Sequence, residues 1–438
     1  MKARTLLLFV SVIGVHTVLA HGQVACATSQ KLVCELPATS TTVSASLLGL
    51  GTGAQTASQA QSEIVSGAIN SSIATQLTEL PIPSASVGTV SIQKAGNPFG
   101  VPFDNLGPIL TDRPDTVGIH HLFAGFSYQR FNFNAIDGNS FSALPIGYTT
   151  TFTSSSGDVL TVYGSQTANV NFHLNQYVGS LTYGLTKTTD VSVVVPFSEV
   201  SLAVTTSNFQ TYLYDTNAGQ YSNESLKPGS TIQTSGTASG VGDVIVTVKQ
   251  SLLGQEGRPP AVAVGADFRI PSGDALNYLG SGAFGFNLHG LFEYRAKLSP
   301  HLKLGYQWNS GSQLVNIFSA SKTALPGGLQ YDAGADYRLH RKLTVAADIL
   351  GSQSVNTVSL TAKPINLTPT PPADSGITHN SVVILSSVPD TYTSVNFSGG
   401  LKYRPIPHWI FYGNVLVPIN NVGLRSDPVP LVGISFNR

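Results

Sequence analysis

The segment from 260 to 270, PAVAVGADFRI, decides the fold class of this chain. Asp267 and Arg269 lie between apolar neighbours in its second half. Side chains on a β-strand alternate between two faces, so the segment predicts a strand with one apolar and one polar face. The apolar face is formed by Val262, Val264, Ala266, Phe268 and Ile270.

Similar segments follow one another from about residue 118 to the end of the sequence, and we count twelve. The connections between them alternate between short and long. The short ones lie near Lys187, 254–259, Ser299, Arg341 and Ile406. The long ones span about 133–165, 207–238, 271–282, 312–327, 359–389 and 419–427.

The alternation of apolar and polar residues alone is compatible with two architectures. In a soluble sandwich the apolar face forms the core, whereas in a membrane barrel it meets lipid and the polar face lines the lumen. Alternating connection lengths favour the barrel, which carries tight turns at one rim and long loops at the other. We therefore expect an all-β, transmembrane, up-and-down antiparallel barrel of about twelve strands rather than a secreted sandwich or propeller.

Composition agrees with a lipid-facing surface. Charged residues make up 11% of the chain, less than half of the share of about 25% that is usual in soluble domains. The 23 basic and 23 acidic residues balance, which leaves no electrostatic footprint for nucleic acid.

The N-terminus predicts export. Residues 1–20 combine a short basic region, an apolar core and small residues before an expected cleavage after Ala20, as in a secretory signal peptide. Gln23-Val24-Ala25 is a poor lead-in for lipidation of Cys26. In an exported chain, Cys26 and Cys34 are expected to form a disulfide.

Residues 21–117 form a separate N-terminal segment before the barrel of residues 118–438. A weak helical pattern covers Ser62 to Leu80 and stops at Pro81-Ile82-Pro83. The segment is either a plug that enters the barrel from the periplasm or a periplasmic linker, and the sequence does not choose between them.

Aromatic residues indicate how the barrel sits in the membrane. Four of them lie beside short turns on the apolar face, where an interfacial girdle belongs: Tyr294, Tyr337, Tyr403 and Trp409. The last strand ends its outward set at Phe436, which we expect barrel-assembly machinery to recognise, although Asn437-Arg438 follow it. The short turns then face the periplasm.

Charged residues on the predicted lumen face carry what functional signal exists. They are Asp267, Arg269, His289, Glu293, Arg295, Lys303, Asp332, Asp336, Arg338, Asp348, Lys402 and Arg404. Their signs nearly balance, so no ion-selective stripe is indicated. We favour cross-strand ion pairs that hold the register over a polar constriction that screens solutes.

Two segments change phase. The apolar set of residues 190–206 passes from Val191 to Phe197 on odd positions to Val200, Leu202 and Val204 on even ones, and residues 168–184 change likewise. We predict a pair of bulges there, with Pro196 nearby.

Several motif-like strings carry no chemistry. Residues 280–285, GSGAFG, match a dinucleotide-binding fingerprint, but a strand follows them where a helix is required. Adjacent His120 and His121 would face opposite ways on a strand and are no metal pair. His301, His340 and His408 fall in or beside short turns, where we expect solvated side chains. Neither a nucleophile elbow nor an HExxH helix occurs, and we expect no enzyme, metal or cofactor.

Five short motifs, in this order, resemble the outer-membrane transporter family named for the MetA pathway of phenol degradation. They are Thr111-Asp112-Arg113-Pro114-Asp115, Gly242-Asp243 with Lys249, Arg269-Ile270-Pro271-Ser272-Gly273-Asp274, Leu279-Gly280-Ser281-Gly282 and Leu304-Gly305-Tyr306-Gln307-Trp308. The resemblance covers roughly residues 100 to 438. It implies an outer-membrane channel for hydrophobic or aromatic compounds, distantly similar to long-chain fatty acid transporters, which use an N-terminal hatch.

The expected function is passive passage of a small, hydrophobic or aromatic solute across the outer membrane of a Gram-negative-type bacterium. The expected partners are outer-membrane lipid, the solute and the assembly machinery. A structural or adhesive barrel is the alternative, followed by a barrel enzyme and a secreted soluble β-protein.

Overall fold

A computed structural model gives the fold and describes residues 31–36, 38, 52–81, 83, 105–153, 157–225, 230–254, 259–316, 321–372, 375, 377 and 379–437. The predicted signal peptide and Cys26 lie outside the described residues. Cys34 is buried, and its pairing with Cys26 stays a prediction.

The described residues form a closed antiparallel barrel of twelve strands, as predicted. The strands are β1 Leu122–Ile136, β2 Val159–Gly184, β3 Thr189–Asp215, β4 in two parts, Ile232–Val241 and Val244–Leu253, β5 Ala261–Ile270, β6 Gly285–Glu293, β7 Leu298–Asn309, β8 Gly328–His340, β9 Leu343–Asn366, β10 Ser381–Tyr403, β11 Trp409–Pro418 and β12 Val429–Asn437. Pairing of β1 with β12, for example Phe126 with Ile434, closes the barrel.

The N-terminal segment contributes one α-helix, α1, Thr52–Glu79. The predicted helix ending before Pro81 is therefore confirmed, although it begins ten residues earlier than Ser62. Short 3-10 helices are Leu32–Cys34, Phe141–Ala143, Ala275–Asn277 and Leu314–Asn316. Short additional strands are Asn139–Ser140, Leu144–Thr153, Gln220–Ser225, Gly311–Ser312, Thr323–Ala324 and Leu424–Ser426.

The alternation of connections is confirmed. Short turns at 185–188, 294–297, 341–342 and 404–408 lie at one rim, which we call the short-turn rim, and Leu253 and Ala261 flank a further short connection there. The other is the long-loop rim. Three predicted loops were too long, because β1 to β4, β9 and β10 continue well past the apolar belt; Leu160 still pairs with Asp215, for instance.

Exposed apolar side chains from all twelve strands form a belt around the short-turn half of the barrel. Phe126, Leu288 and Leu401 are each at least half exposed. Water would disfavour so large a continuous apolar surface, whereas the hydrocarbon of a bilayer accommodates it. No helix among the described residues is both long and apolar enough to cross a membrane.

The predicted bulge pair at the phase change is wrong. Pairing of β2 with β3 continues without a register shift from Thr167–Ser207 to Gly184–Asp190, and burial alternates through 196–200. Phe197 points outward and Val200 inward. The apolar residues change face because the belt ends there, while the interior beyond it is filled by an apolar core.

Helix α1 supplies much of that core. Its Ile69 and Ile73 are buried in the same cluster as Phe172 and Leu202 of the barrel wall. Burying each such side chain contributes roughly 1.5–3 kcal/mol. The apolar inward residues of β2 and β3 are therefore explained by contact with the N-terminal segment.

Candidate functional site

A cavity of about 260 Å³ lies inside the barrel, between parts of the N-terminal segment. Leu77, Leu80 and Pro81 at the end of α1 line it, as do Leu110 and Asp112 of the segment before β1. An apolar cavity of roughly 150 Å³ is large enough for benzene, so this one has room for a single substituted ring.

The cavity has two different walls. Polar and charged side chains on the adjacent strands β5 to β8 form what we call the polar stripe: Asp267, His289, Lys303 and Asp332. The wall across the barrel, on β11, β1 and the loop before β12, is largely apolar and includes Phe131, Phe133, Leu416 and Leu424. This amphipathic lining could hold a solute with an apolar body and a polar group.

The end of α1 bounds the cavity toward the long-loop rim. Arg269 donates from Nη1 to the carbonyl of Thr78 (3.2 Å), where the last turn of a helix leaves acceptors unsatisfied. Ser354 donates to Oε1 of Glu79 (2.7 Å). Burial raises the pKa of Glu79. The hydrogen bond from Ser354 and the positive charges of Arg425 and Arg269 act in the opposite direction and lower it.

Residues 105–117, which we call the plug segment, bound the cavity toward the short-turn rim. Arg113 forms a bidentate pair with Glu293 of β6: Nη2 lies 3.0 Å from Oε1, and Nε donates to Oε2 at 3.3 Å. Both side chains are buried. Such paired geometry is needed to offset the desolvation of two buried charges.

Further ion pairs hold the same segment. Asp115 binds Arg295 beside a short turn, and Lys249 of β4 lies 3.3 Å from Asp112. The amide of Val117 donates to Asp190 (2.9 Å). The predicted family motif at residues 111–115 is therefore the part of the chain that docks onto the charged wall.

Lys402 of β10 fastens the start of the plug segment. Its ammonium donates to the carbonyls of Leu106 (2.9 Å) and Pro108, and the side chain is buried. The amide of Leu106 donates to Thr344, and Asn105 donates to Ser299 (3.2 Å). A lysine buried this deeply needs such acceptors.

The predicted lumen residues differ in their contacts. Glu293, Arg295 and Lys402 contact the plug segment. Arg338 and Arg404 are half-buried beside short turns and do not line the cavity. The favoured interpretation of cross-strand ion pairs is thus wrong for Glu293, Arg295 and Lys402, which bind Arg113, Asp115 and the carbonyl of Leu106 in the N-terminal segment.

His301, expected to be solvated near a turn, is instead buried within β7. Its Nε2 lies 2.5 Å from Asp348 and its Nδ1 3.3 Å from Asp336. The prediction failed because the short turn ends at Lys297, which places His301 on the inward face. His340 and His408 are exposed, as predicted.

Asp243 gathers three of the resemblance motifs at the interruption of β4. Its carboxylate accepts hydrogen bonds from the amide and hydroxyl of Ser281 (2.8 and 2.6 Å) and from the amide of Gly273 (3.2 Å). A Cβ on Gly280 would lie only 2.2 Å from the same carboxylate. The glycines of the apparent dinucleotide motif therefore fold the loop 271–284 around Asp243.

The loop 271–284 also reaches the apolar core. Tyr278 donates its hydroxyl to Asn70 of α1 (2.5 Å) and lies 5.6 Å from Phe172, between ring centroids. Phe133 stacks between Phe172 and Phe131, at 4.8 and 5.8 Å. We call this row from Tyr278 to Phe131 the aromatic row; it runs from the long-loop half to the cavity.

The predicted girdle residues Tyr294, Tyr337, Tyr403 and Trp409 are all exposed beside short turns. Their contact with the bilayer interface stays a prediction. Among the described residues no cluster of histidine, cysteine and carboxylate side chains could hold a metal ion.

Five residues central to this site were not among the candidate lumen residues: Asp112, Arg113, Asp115, Asp243 and Lys249. The motifs of the resemblance contained them, which was the available signal. Strand periodicity could not find the plug residues, because they lie outside any strand.

Residues 149–361 match the family model described as "Putative MetA-pathway of phenol degradation". The resemblance to this family is confirmed. No curated protein matches the chain. The family match spans the barrel from the hairpin before β2 into β9.

Several solved outer-membrane barrels resemble the chain weakly. The COG4313 outer membrane channel from Pseudomonas putida F1 is 12% identical, with 74% of this chain and 97% of that chain covered and a TM-score of 0.42. The Ralstonia pickettii toluene transporter TbuX is 12% identical, with coverage of 80% and 97% and a TM-score of 0.25. The TodX monoaromatic hydrocarbon channel mutant is 11% identical, with coverage of 74% and 92% and a TM-score of 0.28. The solutes named for those channels are not assigned to this chain by so weak a similarity.

Proposed function

We propose that this protein is an outer-membrane channel that passively carries small, predominantly apolar solutes. The observation that carries the proposal is the apolar interior of the long-loop half, with the aromatic row leading to the central cavity. A water-filled porin has a polar interior, whereas this one suits molecules that leave water readily. The family match supports the same class of function.

The route that we propose has three stages. A solute enters among the long loops and passes along the aromatic row beside α1. It then occupies the central cavity. It leaves toward the periplasm when the plug segment moves, because residues 105–117 bridge the lumen from Ser299 to Asp190.

The plug segment is suited to act as a gate. Its contacts to the wall include ion pairs and hydrogen bonds, for instance Arg113 with Glu293 and Lys402 with Leu106. Water and salt can replace these polar contacts when the segment moves, while the buried side chains of Ile109 and Leu110 have to leave the apolar core. We propose no energy source beyond the solute gradient.

Uptake by intact cells tests the proposal. A Gram-negative host that produces the protein should take up labelled toluene faster than the host alone, while labelled sucrose uptake should not change. A matched control is the Asn105→Cys, Ser299→Cys variant, in which an added disulfide between neighbouring side chains holds the plug segment. Equal toluene uptake with and without the protein would favour the structural or adhesive alternative.

A further inference from the structure

The polar stripe contains a cross-strand pair that does not close. Lys303 of β7 and Asp332 of β8 are direct register partners and both line the central cavity. Opposite charges at such positions commonly bond to each other. Here neither side chain makes a hydrogen bond or a close ion pair with any described residue. Both polar groups are therefore available to something in the cavity.

The neighbours of this pair are already engaged. Asp267 accepts a hydrogen bond from Thr247 (2.7 Å) and lies 3.3 Å from His289. Asn287 donates to Gln330 (2.5 Å). The stripe thus offers one ammonium donor and one carboxylate acceptor side by side, next to Nε2 of His289, which is buried without a hydrogen-bond partner among the described residues.

Charge balance indicates what the pair can recognise. The cavity lining carries the carboxylates Glu79, Asp112, Asp243, Asp267 and Asp332. It also carries the cations Lys249, Arg269, Lys303 and Arg425. With the two signs nearly equal, the lining does not select an anion or a cation. It favours a neutral group that both accepts and donates a hydrogen bond, and a hydroxyl is the smallest organic group that does so.

We propose that Lys303 and Asp332 select neutral apolar solutes that carry a hydroxyl group. The hydroxyl oxygen accepts from Nζ of Lys303 and its proton is donated to Asp332. The apolar body lies against the opposite wall, which includes Phe131, Phe133 and Leu416. This inference rests on the proposed function and specifies the solute class for the same cavity.

Competition for uptake measures this selectivity. Benzyl alcohol and ethylbenzene have nearly the same shape and differ by a hydroxyl in place of a methyl group. Against labelled toluene in the host cells, benzyl alcohol should compete at a free concentration about 10-fold to 100-fold lower than ethylbenzene, since hydrogen bonds to charged groups contribute about 1.5–3 kcal/mol.

Variants assign the effect to the pair. Lys303→Met and Asp332→Leu should each reduce the advantage of benzyl alcohol to about twofold or less, while ethylbenzene competes as before. The double variant, which keeps the net charge of the lumen, should do the same. Asp332→Asn retains an acceptor and should keep part of the advantage. Lys363→Met, at an exposed position of β9 that does not line the cavity, is the matched control and should change nothing. Heat-modifiable gel mobility confirms that each variant folds.

The outcomes separate this inference from the proposed function. No toluene uptake by any version of the protein refutes the channel itself. Toluene uptake with equal competition by the two compounds, or an advantage that survives both variants, overturns the hydroxyl site and leaves the channel. Stronger competition by benzoate than by benzyl alcohol, lost only in Lys303→Met, would show an anion site and also overturns the inference.

Discussion

Arg113 of the plug segment and Glu293 of β6 form a buried, bidentate ion pair across 180 residues of sequence. Glu293 is fully buried, and Asp115 and Arg295 lie beside it. The N-terminal segment is therefore joined to the barrel wall through charges that neither part could bury alone.

Removing Arg113 should loosen the plug segment. Arg113→Ala leaves Glu293 buried without its bidentate partner, and breaking such a pair costs about 3–5 kcal/mol. The barrel has its own hydrogen-bonded wall, so we expect the segment to detach rather than the barrel to unfold. Planar-bilayer recordings should show an increased ion leak. Lys31→Ala, which breaks an exposed pair with Asp274 (2.8 Å), should show none.

The reciprocal exchange tests the pairing itself. Arg113→Glu with Glu293→Arg restores opposite charges and should recover part of the tight closure, while either single reversal should leak at least as much as Arg113→Ala. A leak unchanged in all of these variants would mean that the pair does not hold the plug.

Locking the plug segment should stop transport. Asn105 Nδ2 lies 3.2 Å from Ser299 Oγ, so cysteines at these positions are neighbours, and gel mobility with and without reductant measures how much disulfide forms. Toluene uptake should fall to the level of the host under oxidising conditions and recover after reduction. Each single cysteine variant serves as the control, and undiminished uptake by the oxidised double variant would rule out the route past this segment.

The end of the lipid belt on β3 predicts a sharp contrast in stability. Val193 is exposed within the belt, and Glu199 is exposed three positions further along the outward face. Val193→Arg should lower the free energy of unfolding by about 2–4 kcal/mol, whereas Glu199→Arg should cost about 0–1 kcal/mol. Urea titration in phospholipid vesicles measures both, and equal costs would contradict the position of the belt.

Acidification should strengthen the docking of α1. Burial raises the pKa of Glu79 above its usual value, so the docked helix binds a proton more tightly than the undocked one. Docking is therefore strongest when Glu79 is protonated and weakens as the pH rises through its raised pKa. Of the groups around it, Arg269 and Arg425 stay positively charged, and Ser354 and Tyr392 stay neutral, at neutral and mildly acidic pH.

Because the proposed route runs beside α1, uptake should slow as the pH falls through the raised pKa of Glu79. Glu79→Gln imitates the protonated carboxyl, and its uptake should be slow on both sides of that transition. Ser354→Ala, which removes a hydrogen bond that favours the ionised form (2.7 Å), should shift the transition to higher pH. A pH response that persists in Glu79→Gln would assign it to another group.

The barrel architecture could be predicted from the amino-acid sequence alone. Each strand has one face toward lipid and one toward the interior, so apolar and polar residues alternate along it. This alternation can be read from a few neighbouring residues, as in residues 261–270. Turn and loop lengths are local as well, so the two rims and their alternation could be predicted. The exposed aromatic residues beside the short turns follow from the same pattern.

The contacts of the inward-facing residues, in contrast, depend on how the barrel closes around the N-terminal segment. The phase change near Phe197 would look the same in the sequence if a bulge formed or if the lipid-facing belt ended there. The belt ends there because α1 fills the interior and packs against inward apolar residues. Which charges meet was equally hidden, since Arg113 and Glu293 lie 180 residues apart. Closure of the barrel around the N-terminal segment creates those contacts. Contacts across a lumen produce no repeating pattern in the sequence, so they could not be predicted from it.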